Sequence, residues 1–179
     1  MSGDSEQTAV TVRLRGDGFS EAQLRTATSL YERGYGEVES DRLVLSAQET
    51  LFLLEEGVVK VVDENGSAMS FGSLMDRYVK ALPSFWTLYI VYRDLRKRGY
   101  LVKPGFGGEL AYRVYEKGRR DVAKYVIHPL FEGRPDTTGN LLNATKLSMS
   151  KGKVFVLAVV ERRGEVIYYQ CTATPPVKD

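Results

Sequence analysis

The sequence predicts an α+β protein in two parts. A small N-terminal domain of mixed helices and strands covers residues 1–83, and a C-terminal domain over 84–179 carries a mixed central sheet flanked by helices. Three observations carry this expectation. Val10, Val12 and Leu14 alternate with Thr11, Arg13 and Arg15, the period of a half-buried strand. Leu88, Val91, Tyr92 and Leu95 fall at i, i+3, i+4 and i+7, the period of an amphipathic helix. Pro83 interrupts the chain just before that helix, which sets the boundary.

The elements follow in order. After the strand at 9–15, Gly16-Asp17-Gly18 turns the chain, and Ser20-Glu21-Ala22-Gln23 reads as a capping box opening a helix through Leu30 and Tyr31. Gly34 ends that helix. Leu43-Val44-Leu45 is a short strand. Ser46-Ala47-Gln48-Glu49 is a second capping box, opening a helix that Gly57 stops. Val58–Val62 is a strand, Asn65-Gly66 a turn, and Ser70–Lys80 a helix.

In the second part, the helix around Tyr89–Lys97 ends on a basic turn followed by Gly99, a common helix stop. Tyr100-Leu101-Val102 begins a strand, Pro104 to Gly108 reads as a turn, and Ala111–Tyr115 alternates as the returning strand. Lys117-Gly118-Arg119-Arg120 is a basic turn. Ala123–Ile127 is a strand, and Pro129 with Glu132–Asp136 reads as loop. Leu141–Ser150 is a helix. The apolar run Val154–Val160 reads as a buried strand, turned by Glu161–Glu165 into a last strand from Val166 to Tyr169.

Composition narrows the class. The chain is 43% hydrophobic and 27% charged, ordinary for a globular protein, and its net charge is only +2. Any affinity for nucleic acid must therefore come from a local basic patch. With one cysteine, Cys171, no internal disulfide can form; with one histidine, His128, a Cys/His zinc site is excluded and no cofactor is expected. No apolar run approaches the ~18 residues of a membrane span, and the first residues lack an apolar signal core. A cytoplasmic protein without a membrane partner is expected.

The stretch from Tyr89 to Gly118 carries Tyr89, Val91, Tyr92, Asp94, Leu95, Arg96, Arg98, Gly99 and Tyr100, then Arg113, Tyr115, Glu116 and Gly118. This arrangement closely resembles the signature of the archaeal tRNA-splicing endonucleases, or tRNA-intron lyases. That family carries Y-x-V-Y-x-D-L-R-x-R-G-Y and then a strand ending in R-x-Y-E-x-G. The Tyr35–Glu39 and Leu43–Ser46 runs resemble it more weakly. The resemblance implies a nuclease-like C-terminal domain and metal-free cleavage of precursor tRNA at bulge-helix-bulge sites.

Such cleavage uses the RNA's own 2′-hydroxyl as nucleophile. It needs a base, an acid for the departing 5′-oxygen, and a cation for charge developing on phosphate. The resemblance implies tyrosine, histidine and lysine in these roles. Tyr115 matches the tyrosine; with an ordinary pKa near 10, it needs nearby cations such as Lys153, Arg113 or Lys117 to act as a base. Lys153 matches the lysine and Lys146 a preceding arginine, with Lys151 the alternative if two residues are inserted. The histidine is missing. Matching Tyr125-Val126-Ile127 to the family's H-S-x-Y-L-V places Val122 where histidine belongs. His128 lies six residues on, roughly 20 Å along a strand, so it cannot simply substitute.

A chain with this fold but no histidine resembles the non-catalytic structural subunit of a heterotetramer assembled with a homologous catalytic subunit. The resemblance then implies a docking loop at Glu161 and Glu165, and a dimerising edge strand at Val166, Ile167, Tyr168 and Tyr169. Arg162 and Arg163 make that loop less acidic than the family's. Arg113, Lys117, Arg119, Arg120 and Lys146 are the candidate RNA contacts. Two alternatives stand beside this reading: the chain is itself the catalytic subunit, with His128 or another acid completing the site, or it is a stand-alone RNA-binding protein.

Overall fold

The computed structural model describes residues 9–107, 110–118 and 120–173. Contacts divide the chain into two units, Met1–Trp86 and Thr87–Asp179. The architecture is α+β in both.

The first unit is a mixed sheet with helices against it. Its strands are β1 (Val10–Leu14), β2 (Ser20–Gln23), β3 (Glu37–Glu39), β4 (Arg42–Leu45), β5 (Val59–Val62) and β6 (Ala68–Met69), in spatial order β3-β4-β2-β1-β5-β6. Only β1 and β5 run parallel; the other pairs are antiparallel. The helices are α1 (Leu24–Glu32), α2 (Ala47–Glu55) and α3 (Phe71–Ala81). Val12, Leu43, Leu51, Leu53 and Leu74 are fully buried between them.

Capping explains where two of these helices start. Ser46 and Glu49 form a reciprocal capping box at α2, and Ser70 caps α3 with Ser73. Glu49 does more than cap. Its second oxygen accepts a 2.9 Å hydrogen bond from the Gly36 N–H, so a buried carboxylate ties the helix start to the loop before β3. Gly36 has φ 67°, and a Cβ there would stand 2.7 Å from the Val44 carbonyl oxygen. Only glycine fits.

One expected helix start is a strand instead. Ser20–Gln23 pairs with β1 on one side and β4 on the other. Ser20 and Ala22 alternate as buried residues, so a ladder on both edges outcompetes the local capping pattern. Helix α1 begins only at Leu24, with no side-chain bond from its N-cap residue Gln23.

The second unit holds most of α4 (Phe85–Lys97), then β7 (Leu101–Gly107), β8 (Leu110–Tyr115), β9 (Ala123–Phe131), α5 (Thr138–Ser150), β10 (Val154–Val160) and β11 (Val166–Cys171). The sheet order is β11-β10-β9-β8-β7; β9 and β10 are parallel through the α5 crossover, and the remaining pairs are antiparallel. Two turn readings are corrected here. Pro104–Gly107 continues β7, with an irregular register between Pro104 and Gly107; Gly108 lies outside the described residues. Pro129 lies within β9, where it pairs only with Ala158 of β10, because pairing to β8 stops at Ile127. Proline is tolerated at both places because each backbone has a free side: β7 is the sheet's edge, and β9 beyond Ile127 has one neighbour.

The β7–β8 hairpin is tightly curled. A Cβ on Gly105 would collide with the Leu110 carbonyl oxygen, so the close backbone approach requires glycine. Leu110 packs with Val126, Ala144 and Phe155, the core beneath α5, and Leu141 and Cys171 rest against it. On α4, Tyr92 meets Tyr112 at 6.0 Å between ring centroids, and the Tyr112 hydroxyl donates to the Leu88 carbonyl at 2.9 Å.

Candidate functional site

Strand β8 buries Leu110, Tyr112 and Val114 and turns Arg113 and Tyr115 to its other face, half-exposed. Tyr115, at the strand's end, pairs with Leu101 of β7 and Ala123 of β9. The register slips between Val114 and Tyr115, leaving Lys124 as the extra residue, which ion-pairs with Glu116. Val154 of β10 stands opposite Tyr125, so Lys153 precedes β10 at this same end of the sheet. Only β9 separates the two strands, which puts their backbones about 10 Å apart.

The end of α5 fixes how Lys153 arrives there. Lys151 and Lys153 both donate backbone N–H groups to the Ser148 carbonyl, at 3.1 and 2.9 Å, and Gly152 between them donates to Met149. Ser148 is fully buried, which anchors the turn. Tyr115 and Lys153 therefore occupy one sheet end by virtue of register and helix termination.

Val122, directly before Ala123, stands at that end with 60% of its surface exposed. An aliphatic side chain exchanges no proton. His128 is elsewhere, five residues beyond Ala123 and so about 17 Å along β9. It is buried, with Nε2 at 3.0 Å from Asp136 Oδ2 and its ring stacked at 6.4 Å on Phe155. Burial pushes the Asp136 carboxyl up, but bonds from Asn140, from the Thr137 N–H and from His128 prevail and hold it below the ordinary value.

The other cations spread around this sheet. Arg113 Nε donates to the Pro104 carbonyl at 2.7 Å, and its guanidinium lies 5.7 Å from the Phe106 ring centroid. Lys117 lies 5.3 Å from the Tyr100 ring. Arg120 and Lys146 are exposed, and Arg119 lies outside the described residues. Among the described residues no group of three or more His, Cys, Asp or Glu is arranged to hold a metal ion. No helix among them is long and apolar enough to cross a membrane.

Comparison with known proteins decides the family. Residues 10–75 match the tRNA intron endonuclease N-terminal domain, and residues 85–168 match the tRNA intron endonuclease catalytic C-terminal domain. Over 158 residues the chain is 35% identical to a tRNA-splicing endonuclease of Pyrococcus horikoshii, covering 88% of this chain and 92% of that one. The chain belongs to the tRNA intron endonuclease family. It is also 40% identical over 136 residues to a tRNA-splicing endonuclease of Methanopyrus kandleri, covering 74% of each. Against that of Methanosarcina acetivorans it is 32% identical over 168 residues, 92% of this chain but 47% of the longer relative.

In this family member the Glu161–Glu165 turn is closed by Glu161 N–H to the Glu165 carbonyl at 2.9 Å and Gly164 N–H to the Glu161 carbonyl at 2.8 Å. Glu165 is exposed and Glu161 half-exposed. Strand β11 is the sheet's outer strand beside β10. Ile167 and Tyr169 face outward, whereas Tyr168 turns toward α4, where its hydroxyl donates to Asp94 Oδ2 at 2.7 Å. Arg98 Nε donates to the same oxygen at 2.7 Å, and its guanidinium lies over the Tyr168 ring at 5.6 Å. Sequence reading missed Phe106, Asp94 and Asp136 as organising residues. For Phe106 a signal existed: an aromatic amid glycines in a strand-flanking run.

Proposed function

We propose that this chain is the structural subunit of a tRNA-splicing endonuclease, a heterotetramer completed by a homologous catalytic subunit. The whole enzyme removes introns from precursor tRNA at bulge-helix-bulge sites and acts in the cytoplasm. The family supports the endonuclease function; the exposed Val122 carries the subunit assignment.

The chemistry explains why one residue decides. The 2′-hydroxyl loses its proton to a base, its oxygen bonds to phosphorus, and the bond from phosphorus to the 5′-oxygen breaks. The departing oxygen takes a proton, giving a 2′,3′-cyclic phosphate and a 5′-hydroxyl. On this reading Tyr115 is the base and Lys153 the cation facing the crowded phosphate charge, which their place at one end of the sheet supports. Val122 delivers no proton, and an unprotonated alkoxide is a poor leaving group. His128, buried against Asp136 and Phe155, serves the core instead.

The purified chain is expected to leave a bulge-helix-bulge RNA intact, and mixing it with a catalytic homologue is expected to yield cleavage. Cleavage by the chain alone would make it the catalytic subunit. RNA binding with no association to any homologue would make it a stand-alone RNA-binding protein.

A further inference from the structure

We infer that a cavity beside the end of α4 binds a small aromatic carboxylate. The inference goes beyond the nuclease reading and does not depend on which subunit the chain is. The cavity has a volume of about 310 Å³, at the lower end of ligand-sized sites. Its floor is aliphatic: Val114 of β8, Ile127 of β9 and Val156 of β10, with Leu95 of α4, all buried. Tyr115 turns to the opposite face of β8 from Val114, so this cavity and the tyrosine lie on opposite sides of the sheet.

The space exists because the helix stops before the strands do. Gly99, at φ 85°, ends the helical run, and the Tyr100 N–H donates back to the Leu95 carbonyl at 3.1 Å. The chain then leaves into β7. Beside that end the strands present aliphatic side chains, with Ile127 opposite Val156 in the register and Val156 opposite Gln170 of the outer strand β11.

The walls are fixed and polar. The Tyr168 hydroxyl and Arg98 Nε both donate to Asp94 Oδ2 at 2.7 Å, and the guanidinium lies 5.6 Å from the Tyr168 ring centroid. Both side chains line the cavity, so this wall is in place before a ligand arrives. Asp94 takes only Nε, which leaves the terminal guanidinium nitrogens as donors. Two further tyrosines line the cavity, each with a lysine over its ring: Lys117 at 5.3 Å from Tyr100 and Lys124 at 5.4 Å from Tyr125. Arg98 is balanced by Asp94 and Lys124 by Glu116, whereas no ion pair joins Lys117 to a carboxylate among the described residues. The rim therefore favours an anion. A flat ring lies on the aliphatic floor between the tyrosines, and its carboxylate meets the Arg98 guanidinium with Lys117 close by.

The test titrates the full chain by calorimetry with 2-naphthoate and, separately, with 2-naphthamide, its uncharged analogue. The acid is expected to bind about tenfold tighter than the amide, because only it makes charge-assisted hydrogen bonds. Lys117→Gln is expected to weaken the acid about threefold and to leave the amide unchanged. Gln170 is exposed at the cavity's edge, and Gln170→Trp is expected to weaken both ligands about tenfold or more by filling the opening. Nuclear Overhauser contacts from the naphthyl protons should reach the methyl groups of Ile127 and Val156. Circular dichroism melting checks that the variants fold, and Gln170→Phe replaces the tryptophan variant if that one does not. No 2-naphthoate binding by the parent, equal affinity for acid and amide, parental affinity in the folded Gln170 variant, or Overhauser contacts elsewhere would each overturn the inference.

Discussion

His128 Nε2 stands 3.0 Å from Asp136 Oδ2 with only 9% and 10% of the two side chains exposed, so the pair ties β9 to the residues opening α5. Asp136 also accepts from the Thr137 N–H and from Asn140 Nδ2, and its carboxyl titrates below the ordinary value. The unfolded chain therefore binds the extra proton between the two values, and stability rises with pH in that interval. The contribution is complete above about pH 4 and drains away as pH falls through the lower folded value. Calorimetric melting of Asp136→Asn should lack this part of the acid dependence. His128→Ala should cost about 2 kcal/mol and leave the assembled enzyme's cleavage rate unchanged. A large loss of rate with stability intact would return His128 to the reaction.

Val122→His is the complementary experiment. The side chain starts exposed and next to Ala123, the cross-strand partner of Tyr115, so an imidazole there meets no packing obstacle. General acids contribute about 100- to 10,000-fold to such reactions. The variant chain is expected to cut bulge-helix-bulge RNA at least tenfold faster than its parent, with product ends analysed for cyclic phosphate. A folded variant that gains nothing would show that more than the acid is missing.

The legible parts of this fold were those written in local code. The Ser46–Glu49 box, the Gly99 stop and the alternation of β1 and β8 each depend on neighbours a few residues away. What escaped depends on partners far along the chain. Ser20–Gln23 becomes a strand because β1 and β4 bracket it, and Pro104–Gly107 stays in a strand because the sheet's edge tolerates proline. The site shows the same division. Motif spacing named Tyr115 and Lys153, but that they share one end of the sheet follows from strand register, and the burial of His128 required knowing that Asp136 folds back onto β9. Phe106 was hidden inside an expected turn.

Tyr168 and Asp94 offer a test of how β11 is held. Burial, then the hydrogen bond to Asp94, pushes the Tyr168 phenol far above its ordinary value, which keeps it a neutral donor. Tyr168→Phe removes that donor but leaves Arg98 on the carboxylate, so the cost should be about 1 kcal/mol in urea unfolding. Asp94→Asn strips both bonds of charge and should cost more. In the double variant the two losses should fail to add, because they share one oxygen. Additive losses would mean the contact contributes nothing.

The Glu161–Glu165 turn separates assembly from folding. Its geometry comes from backbone bonds, Glu161 to Glu165 and Gly164 to Glu161, with Gly164 at φ 82°. Neither glutamate side chain is needed to close it, so reversing both charges should leave the fold and its melting temperature close to the parent's. If these carboxylates dock onto a basic pocket of a catalytic homologue, the reversal sets like charges against each other at several kcal/mol. Glu161→Arg with Glu165→Arg is then expected to abolish the mixed assembly in light scattering and to return cleavage by the mixture to background. Arg162→Glu with Arg163→Glu should act oppositely and tighten association, since those arginines dilute the acidic loop. Intact assembly in the glutamate variant would reduce this turn to a solvated hairpin.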